Sequence, residues 1–125
     1  MTEFALTLCV LASVGLISIG VLALVAPERL SRSYGVAVDA PNSFVYVRAT
    51  GARDCIIGFV FGSAVWAHDR SLLLVLAVAG LALSLADFAI AFAFARGFRS
   101  EHVAHLGGAA GFLVIAIALL LGAQP

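Results

Sequence analysis

Long apolar runs separated by short polar segments make up most of this chain. At a rise of about 1.5 Å per residue, a helix of about 20 residues matches a hydrocarbon core about 30 Å thick. The pattern predicts helices at residues 4–26, 42–67, 71–95 and 101–123. The expected fold is therefore all-α: a polytopic membrane protein with a single domain, residues 1–125, folded as an antiparallel bundle of four transmembrane helices.

The second predicted helix differs from the others because it carries charge. Its purely apolar part, residues 55–67, would be only about 20 Å long, which is too short to span a bilayer. To span, the helix must include the polar stretch that precedes this part. That requirement places Arg48, Arg53 and Asp54 inside the membrane.

Composition supports a lipid environment. Hydrophobic residues make up 63% of the chain and charged residues 11%, whereas a soluble domain has about a quarter of its residues charged. The predicted partner is therefore the lipid bilayer. The formal net charge is zero, which disfavours nucleic acid as a partner, since binding to nucleic acid depends largely on positive charge.

The buried ionisable groups fall at similar depths. We call the side of the membrane where the first helix ends side A, and the opposite side, side B. Counted along the helix axes from side A, Arg48 lies at about 8 Å and Arg53 at about 15 Å. Asp87 lies at about 12 Å and His105 at about 6 Å. Intramembrane charges pair with each other or face a wet cavity, so we expect Asp54 and Arg48 to flank a cavity, with Asp87 reaching one of the arginines.

Glycines recur at helical spacing on two of the predicted helices. Gly51, Gly58 and Gly62 share one stripe of the second helix, and Gly107 and Gly111 lie on the fourth. Small residues let membrane helices approach closely. The pattern predicts that the second and fourth helices pack against each other through these glycines.

The loop arginines predict the orientation. Four of them lie at side A: Arg29, Arg32, Arg96 and Arg99. Side B has only Arg70. Because basic loop residues favour the cytoplasmic side, we expect a multi-pass protein of the cell membrane with its charged loops in the cytoplasm and both termini outside.

The stretch Arg-x-x-Gly-x-Arg-Asp-x-x-x-Gly at residues 48–58, followed by Asp87 and His105, resembles a known pattern. It is similar to that of a family of small four-helix bacterial and fungal membrane proteins known only as a domain of unknown function. That family is in turn distantly similar to the DoxX-like membrane proteins. The resemblance implies the four-helix membrane fold and supports the choice of these residues, but it implies no activity.

The clustered groups suggest proton-transfer chemistry on a lipophilic small molecule, as in an isomerase or a cyclase. Such chemistry needs an acid and a base beside the substrate; the candidate catalytic residues are Asp54, Asp87 and His105. Positive groups would stabilise developing negative charge; the candidate ligand-binding residues are Arg48, Arg53 and Tyr46. His105 could shuttle protons near neutral pH.

Two other functions stay open, and so does the question of whether the protein is an enzyme. One is a small transporter or proton-coupled carrier. Multidrug carriers of similar length depend on a glutamate inside the first helix, where this chain has only Glu3 at the edge. The other is a non-catalytic membrane partner protein whose charge cluster is structural. The sequence leaves a homo-oligomer open.

The sequence predicts no metal and no cofactor. Asp87 and His105 are too few ligands for a metal site. Haem ligation by His68, His102 or His105 stays open, although no attachment motif accompanies these residues.

Overall fold

The structure is a computed structural model that describes residues 1–33, 44–94, 98 and 102–122. These residues form five helices and no strand: α1 (Glu3–Val25), α2 (Pro27–Ser33), α3 (Phe44–Trp66), α4 (Arg70–Phe94) and α5 (His102–Leu121). The all-α prediction is confirmed for this part of the chain. The outermost residues of the predicted helices at 42–43, 95, 101 and 123 lie outside the described residues.

Local side chains cap the starts of α1 and α4, and a proline follows the end of α1. The Thr2 hydroxyl caps α1 by accepting a hydrogen bond from the Ala5 backbone N–H at 3.3 Å. Pro27, which has no N–H to donate, follows the end of α1 and begins α2. The Asp69 carboxylate caps α4 by accepting from the Leu72 backbone N–H at 3.0 Å.

Three of the described helices are long and apolar enough to cross a membrane: α1, α5 and the Arg70–Ala93 part of α4. Their outer faces expose large apolar side chains, including Val14 on α1 and Val75 on α4. Such exposure is expected in lipid and unfavourable in water, so these helices indicate a membrane protein. The remaining long helix, α3, is not among these three, and its charges distinguish it from them.

Helices α1 and α3 form a tight antiparallel pair. A Cβ added at Gly51 would lie 2.5 Å from Ala23 Cβ and 2.7 Å from the carbonyl oxygen of Gly20. Further along the pair, the Ser13 hydroxyl donates a hydrogen bond of 2.8 Å to the backbone carbonyl of Gly58. The backbones of α1 and α3 therefore approach closely because small residues face each other on both helices.

Helices α4 and α5 form the second antiparallel pair. A Cβ added at Gly80 would lie 2.6 Å from the ring of Phe112, and one added at Gly108 would lie 3.1 Å from Ser84 Oγ. Contacts within each of the two pairs are far more extensive than contacts between the pairs.

The predicted packing between the second and fourth helices is therefore wrong. The stripe of Gly51 and Gly58 on α3 faces α1, and an added Cβ at Gly107 or Gly111 would meet nothing within 4 Å. The stripe showed that α3 could approach another helix closely, but a stripe of small residues does not identify its partner. In the structure, α1 supplies the matching small residues.

The two pairs meet near side B. Side chains from all four long helices form one buried apolar cluster there: Ala5, Cys9, Phe61, Ala64, Leu73, Ala77, Ile115, Ala116 and Leu119. Toward side A the arrangement changes, because no residue of α4 between Leu81 and Ala93 is buried. Among the described residues, the apolar core that both pairs share thus lies at side B.

The contact between α1 and α3 leads to a stability prediction. Gly51→Ala should destabilise the protein by about 1–3 kcal/mol, because the new methyl group would overlap Ala23 and a backbone oxygen that cannot move independently. Thermal unfolding in detergent would measure the loss. Gly111→Ala is the matched control and should leave stability unchanged or slightly raise it; equal losses in both variants would contradict the packing described.

Candidate functional site

Arg53 joins two carboxylates that belong to different helices. Its Nη2 lies 3.1 Å from Asp54 Oδ1 and 3.4 Å from Asp87 Oδ2. Its Nε also donates to Asp54 Oδ1 at 3.1 Å. We call Arg53, Asp54 and Asp87 the ion cluster; it links α3 to α4.

The helical geometry of α3 explains why two neighbouring residues point in different directions. Asp54 shares the buried face of Gly51 and Gly58, which packs on α1, and only 11% of its side chain is exposed. Arg53 is rotated by about 100° from Asp54 around the helix. It therefore leaves the α1 face, extends toward α4, and is 36% exposed.

The ion cluster lies well inside the two helices. Counted along the axis, Arg53 is about 14 Å from the start of α3 at Phe44, and Asp87 is about 10 Å from the end of α4 at Phe94. Because α3 and α4 run in opposite directions, both ends are on side A. The two side chains consequently reach the same level.

His105 lies near this cluster on a third helix. It is half-buried in the first turn of α5, and the charge of Asp87 acts on its imidazole. Three of the four long helices thus contribute ionisable groups to one region.

The structure places the other two candidate residues differently. Tyr46 and Arg48 are both exposed near the start of α3. Arg48 makes no ion pair with Asp54 or Asp87, since it projects about 120° away from Asp54 around the helix. Of the two arginines in the motif, it is Arg53 that Asp87 reaches.

Aromatic rings surround His102, a feature that the sequence did not predict. The imidazole is 2% exposed and lies 5.8 Å from the ring of Phe88, 5.7 Å from that of Phe92 and 5.4 Å from that of Phe98, measured between centroids. The four-residue spacing of Phe88 and Phe92, whose rings stack at 5.7 Å, was the available signal. The aromatic side chains fix the start of α5 against the end of α4.

The charges of the ion cluster do not balance. One guanidinium faces two carboxylates, which leaves a formal charge of −1. Each carboxylate contacts Arg53 through one oxygen, Asp54 through Oδ1 and Asp87 through Oδ2. The second oxygen of each carboxylate is a further acceptor that could take a proton or a hydrogen bond from a ligand.

The described residues offer little to a metal ion. No group of three or more His, Cys, Asp or Glu side chains is placed to hold one within this part of the chain. The chemistry that the ion cluster can support is the transfer of protons and the binding of polar groups.

These features define an all-helical membrane protein with an ion cluster between two helix pairs. Residues 13–120 match the family model described as "Domain of unknown function (DUF4267)", and the chain belongs to that family. The matched region contains the whole ion cluster, and it confirms the resemblance to a family known as a domain of unknown function. No curated protein and no solved structure matches the chain. The similarity to the DoxX-like proteins stays a prediction.

Removing the positive and negative members of the ion cluster should have unequal effects. Arg53→Gln leaves two carboxylates close together without a cation and should cost about 1–3 kcal/mol, less than for a fully buried pair because Arg53 is partly exposed. Asp87→Asn keeps the pair of Arg53 with Asp54 and should cost less than about 1 kcal/mol. Thermal unfolding in one detergent would compare the variants. A loss for Asp87→Asn equal to or above that for Arg53→Gln would contradict the arrangement.

Proposed function

We propose that α3 crosses the membrane together with α1, α4 and α5, so that the chain has four crossings. At 23 residues, α3 is about 34 Å long, which is enough to span. Its contacts with α1 extend from Ser13 to Ala23, so α3 lies beside a helix that is itself long and apolar enough to span. A helix packed along a spanning helix shares its depth. Arg53 and Asp54 are then tolerated because they belong to the ion cluster, and Arg48 because it lies near the side A end of the helix, where a long arginine side chain can reach the interface.

Side A is the cytoplasmic side in this proposal. The sequence assigns four loop arginines to this side, of which Arg96 and Arg99 lie outside the described residues, and assigns Arg70 alone to side B. Both termini are then outside, and the ion cluster belongs to the cytoplasmic half of the cell membrane.

Reporter fusions at the two termini test the number of crossings. Four crossings place both termini on the same side, outside, whereas three crossings by α1, α4 and α5 would place them on opposite sides. Fusions after residues 33 and 68 would locate the two ends of α3, and we expect the first inside and the second outside. Termini on opposite sides would refute the crossing of α3, and two cytoplasmic termini would refute the orientation.

We further propose that the ion cluster binds a lipophilic small molecule and moves a proton on it. The observation that carries this proposal is the position of Arg53 between two carboxylates from different helices, where it is partly exposed about 14 Å from the side A end of α3. Ionisable groups at such depth are costly, and they commonly mark functional sites. A lipophilic molecule would reach them from the bilayer.

The surroundings of the two carboxylates suggest different roles. Asp54 is buried, accepts a hydrogen bond from Arg53 Nε and forms an ion pair with Arg53 Nη2, so its main effect is to hold the guanidinium in place. Asp87 is 28% exposed and has one longer contact of 3.4 Å, so it is the better group to exchange a proton with the ligand. Arg53 would stabilise negative charge that develops on the ligand. His105 would carry the proton toward side A.

The alternatives predict different properties of the cluster. A proton-coupled carrier has less support, because the only acidic residue of α1 is Glu3 in its first turn. A purely structural cluster would tolerate neutral variants that keep the fold, and would bind nothing.

Extraction of bound molecules tests the proposal. The wild-type protein, Asp87→Asn and Asp69→Asn would be purified in the same mild detergent, and lipophilic molecules that co-purify would be identified by mass spectrometry. We expect a molecule enriched with the wild type and with Asp69→Asn, but reduced at least about tenfold with Asp87→Asn, as for a lost interaction of about 1.4 kcal/mol. Asp69→Asn is the matched control, since asparagine also caps a helix.

Deuterium labelling would then separate binding from chemistry. The extracted molecules would be incubated in heavy water with each purified variant, and incorporation at carbon would be followed by mass spectrometry. Proton transfer predicts incorporation with the wild type and little with Asp87→Asn. Binding without incorporation would refute the catalytic part, while equal extracts from all three proteins would refute the binding site.

A further inference from the structure

Each of the two helix pairs is closely packed within itself. In the first, the backbones of α1 and α3 touch through glycines, and the Ser13 hydroxyl bonds to a backbone carbonyl of α3. In the second, Phe112 lies against Gly80, and aromatic rings enclose His102. Close packing of this kind resists internal sliding. Any relative motion is therefore expected between the pairs rather than within them.

The side B end provides a pivot for such motion. All four long helices meet in the buried apolar cluster there, and Phe61 and Leu73 are fully buried within it. The short connection of α3 to α4 also lies at this end, around His68 and Asp69. Separation at side B would expose the shared core of four helices.

Among the described residues, the side A end has no comparable apolar cluster shared by both pairs. The second buried apolar cluster, formed by Ala23, Leu30 and Val47, belongs to α1, α2 and α3 alone. Between Leu81 and Ala93, α4 has no buried residue. At this level, the contact of Arg53 with Asp87 crosses from one pair to the other.

We propose that the two helix pairs rock about the side B cluster and that the contact of Arg53 with Asp87 is the latch that holds them together at side A. Breaking the latch opens a cleft between α3 and α4 toward the lipid. Both side chains are partly exposed, and their distance of 3.4 Å exceeds the 3.1 Å between Arg53 and Asp54. The weaker contact is the one that must open. Arg53 stays anchored by Asp54 and is available to close it again.

The latch gives a lipophilic molecule a route to the ion cluster from within the bilayer. The role of the latch as a gate rests on the proposed function, because a gate needs a ligand to admit. The rocking motion itself does not depend on a ligand and can be measured without one.

Distances between spin labels would measure the motion in lipid nanodiscs. Both cysteines would first be replaced by alanine, and labels would be attached at pairs of exposed apolar positions. Val45 on α3 and Ile90 on α4 report the separation of the pairs at side A. Val45 is about 24 Å along α3 from Phe61 in the side B cluster, so a rotation of about 10° would move its end of the helix by about 4 Å.

Two further label pairs serve as internal references. Ile90 with Val103 reports the distance within the α4 and α5 pair. Phe59 with Leu120 reports the separation of the two pairs closer to side B. We expect Arg53→Gln and Asp87→Asn to lengthen or broaden the Val45 to Ile90 distribution by at least about 3 Å while both reference distributions keep their wild-type form.

Arg48→Gln is the matched control for the latch, since it removes the same charge from the same helix at a residue that is exposed and lies outside the ion cluster. It should leave all three distributions unchanged. Two variants of the latch are used so that one remains if the other does not fold. Unchanged Val45 to Ile90 distances in the folded variants would overturn the latch, and so would an equal change in the reference pairs. Either result would leave the ligand extraction test of the proposed function unaffected.

Discussion

A charged group that lies among apolar helices needs a partner of opposite charge, and this requirement shapes the contact between α3 and α4. Arg53 meets it with two carboxylates, one beside it on α3 and one on α4. Asp54 is the neighbour of Arg53 on α3, whereas Asp87 can reach Arg53 only because α4 stands next to α3. The ion cluster thus depends on the arrangement of α3 and α4, and it explains how Arg53 and Asp54 are accommodated beside apolar neighbours.

Close packing of small residues supplies the arrangement. Gly20 and Gly51 bring the backbones of α1 and α3 together, and the same face of α3 carries Asp54 into the contact. Since the burial of Asp54 follows from the packing, the packing also determines that Arg53 points outward. The glycines that contact α1 and the α3 members of the ion cluster therefore share one short segment of α3, residues 51–58.

The two ends of the molecule differ in how their helices pack. Near side B, apolar side chains from every long helix make a common core that stabilises the fold. Toward side A, no residue of α4 between Leu81 and Ala93 is buried, and the described contact between the pairs is the polar one of Arg53 with Asp87. A stable end and an open end suit a protein that admits a lipophilic molecule to charged residues, as proposed here, because access at one end then leaves the core at the other intact.

Much of this protein follows from its sequence. The lengths of the apolar runs predicted the four long helices, and the shortness of the apolar run after Asp54 indicated that α3 had to include charged residues. Counting along the axes also placed Asp87 near Arg53. The sequence alone did not decide which helices pair, whether Arg48 or Arg53 meets Asp87, or that phenylalanines enclose His102. Those features depend on the rotation of each helix about its axis and on its choice of neighbour. Both are decided by contacts between side chains distant in the chain, which only the tertiary structure brings together.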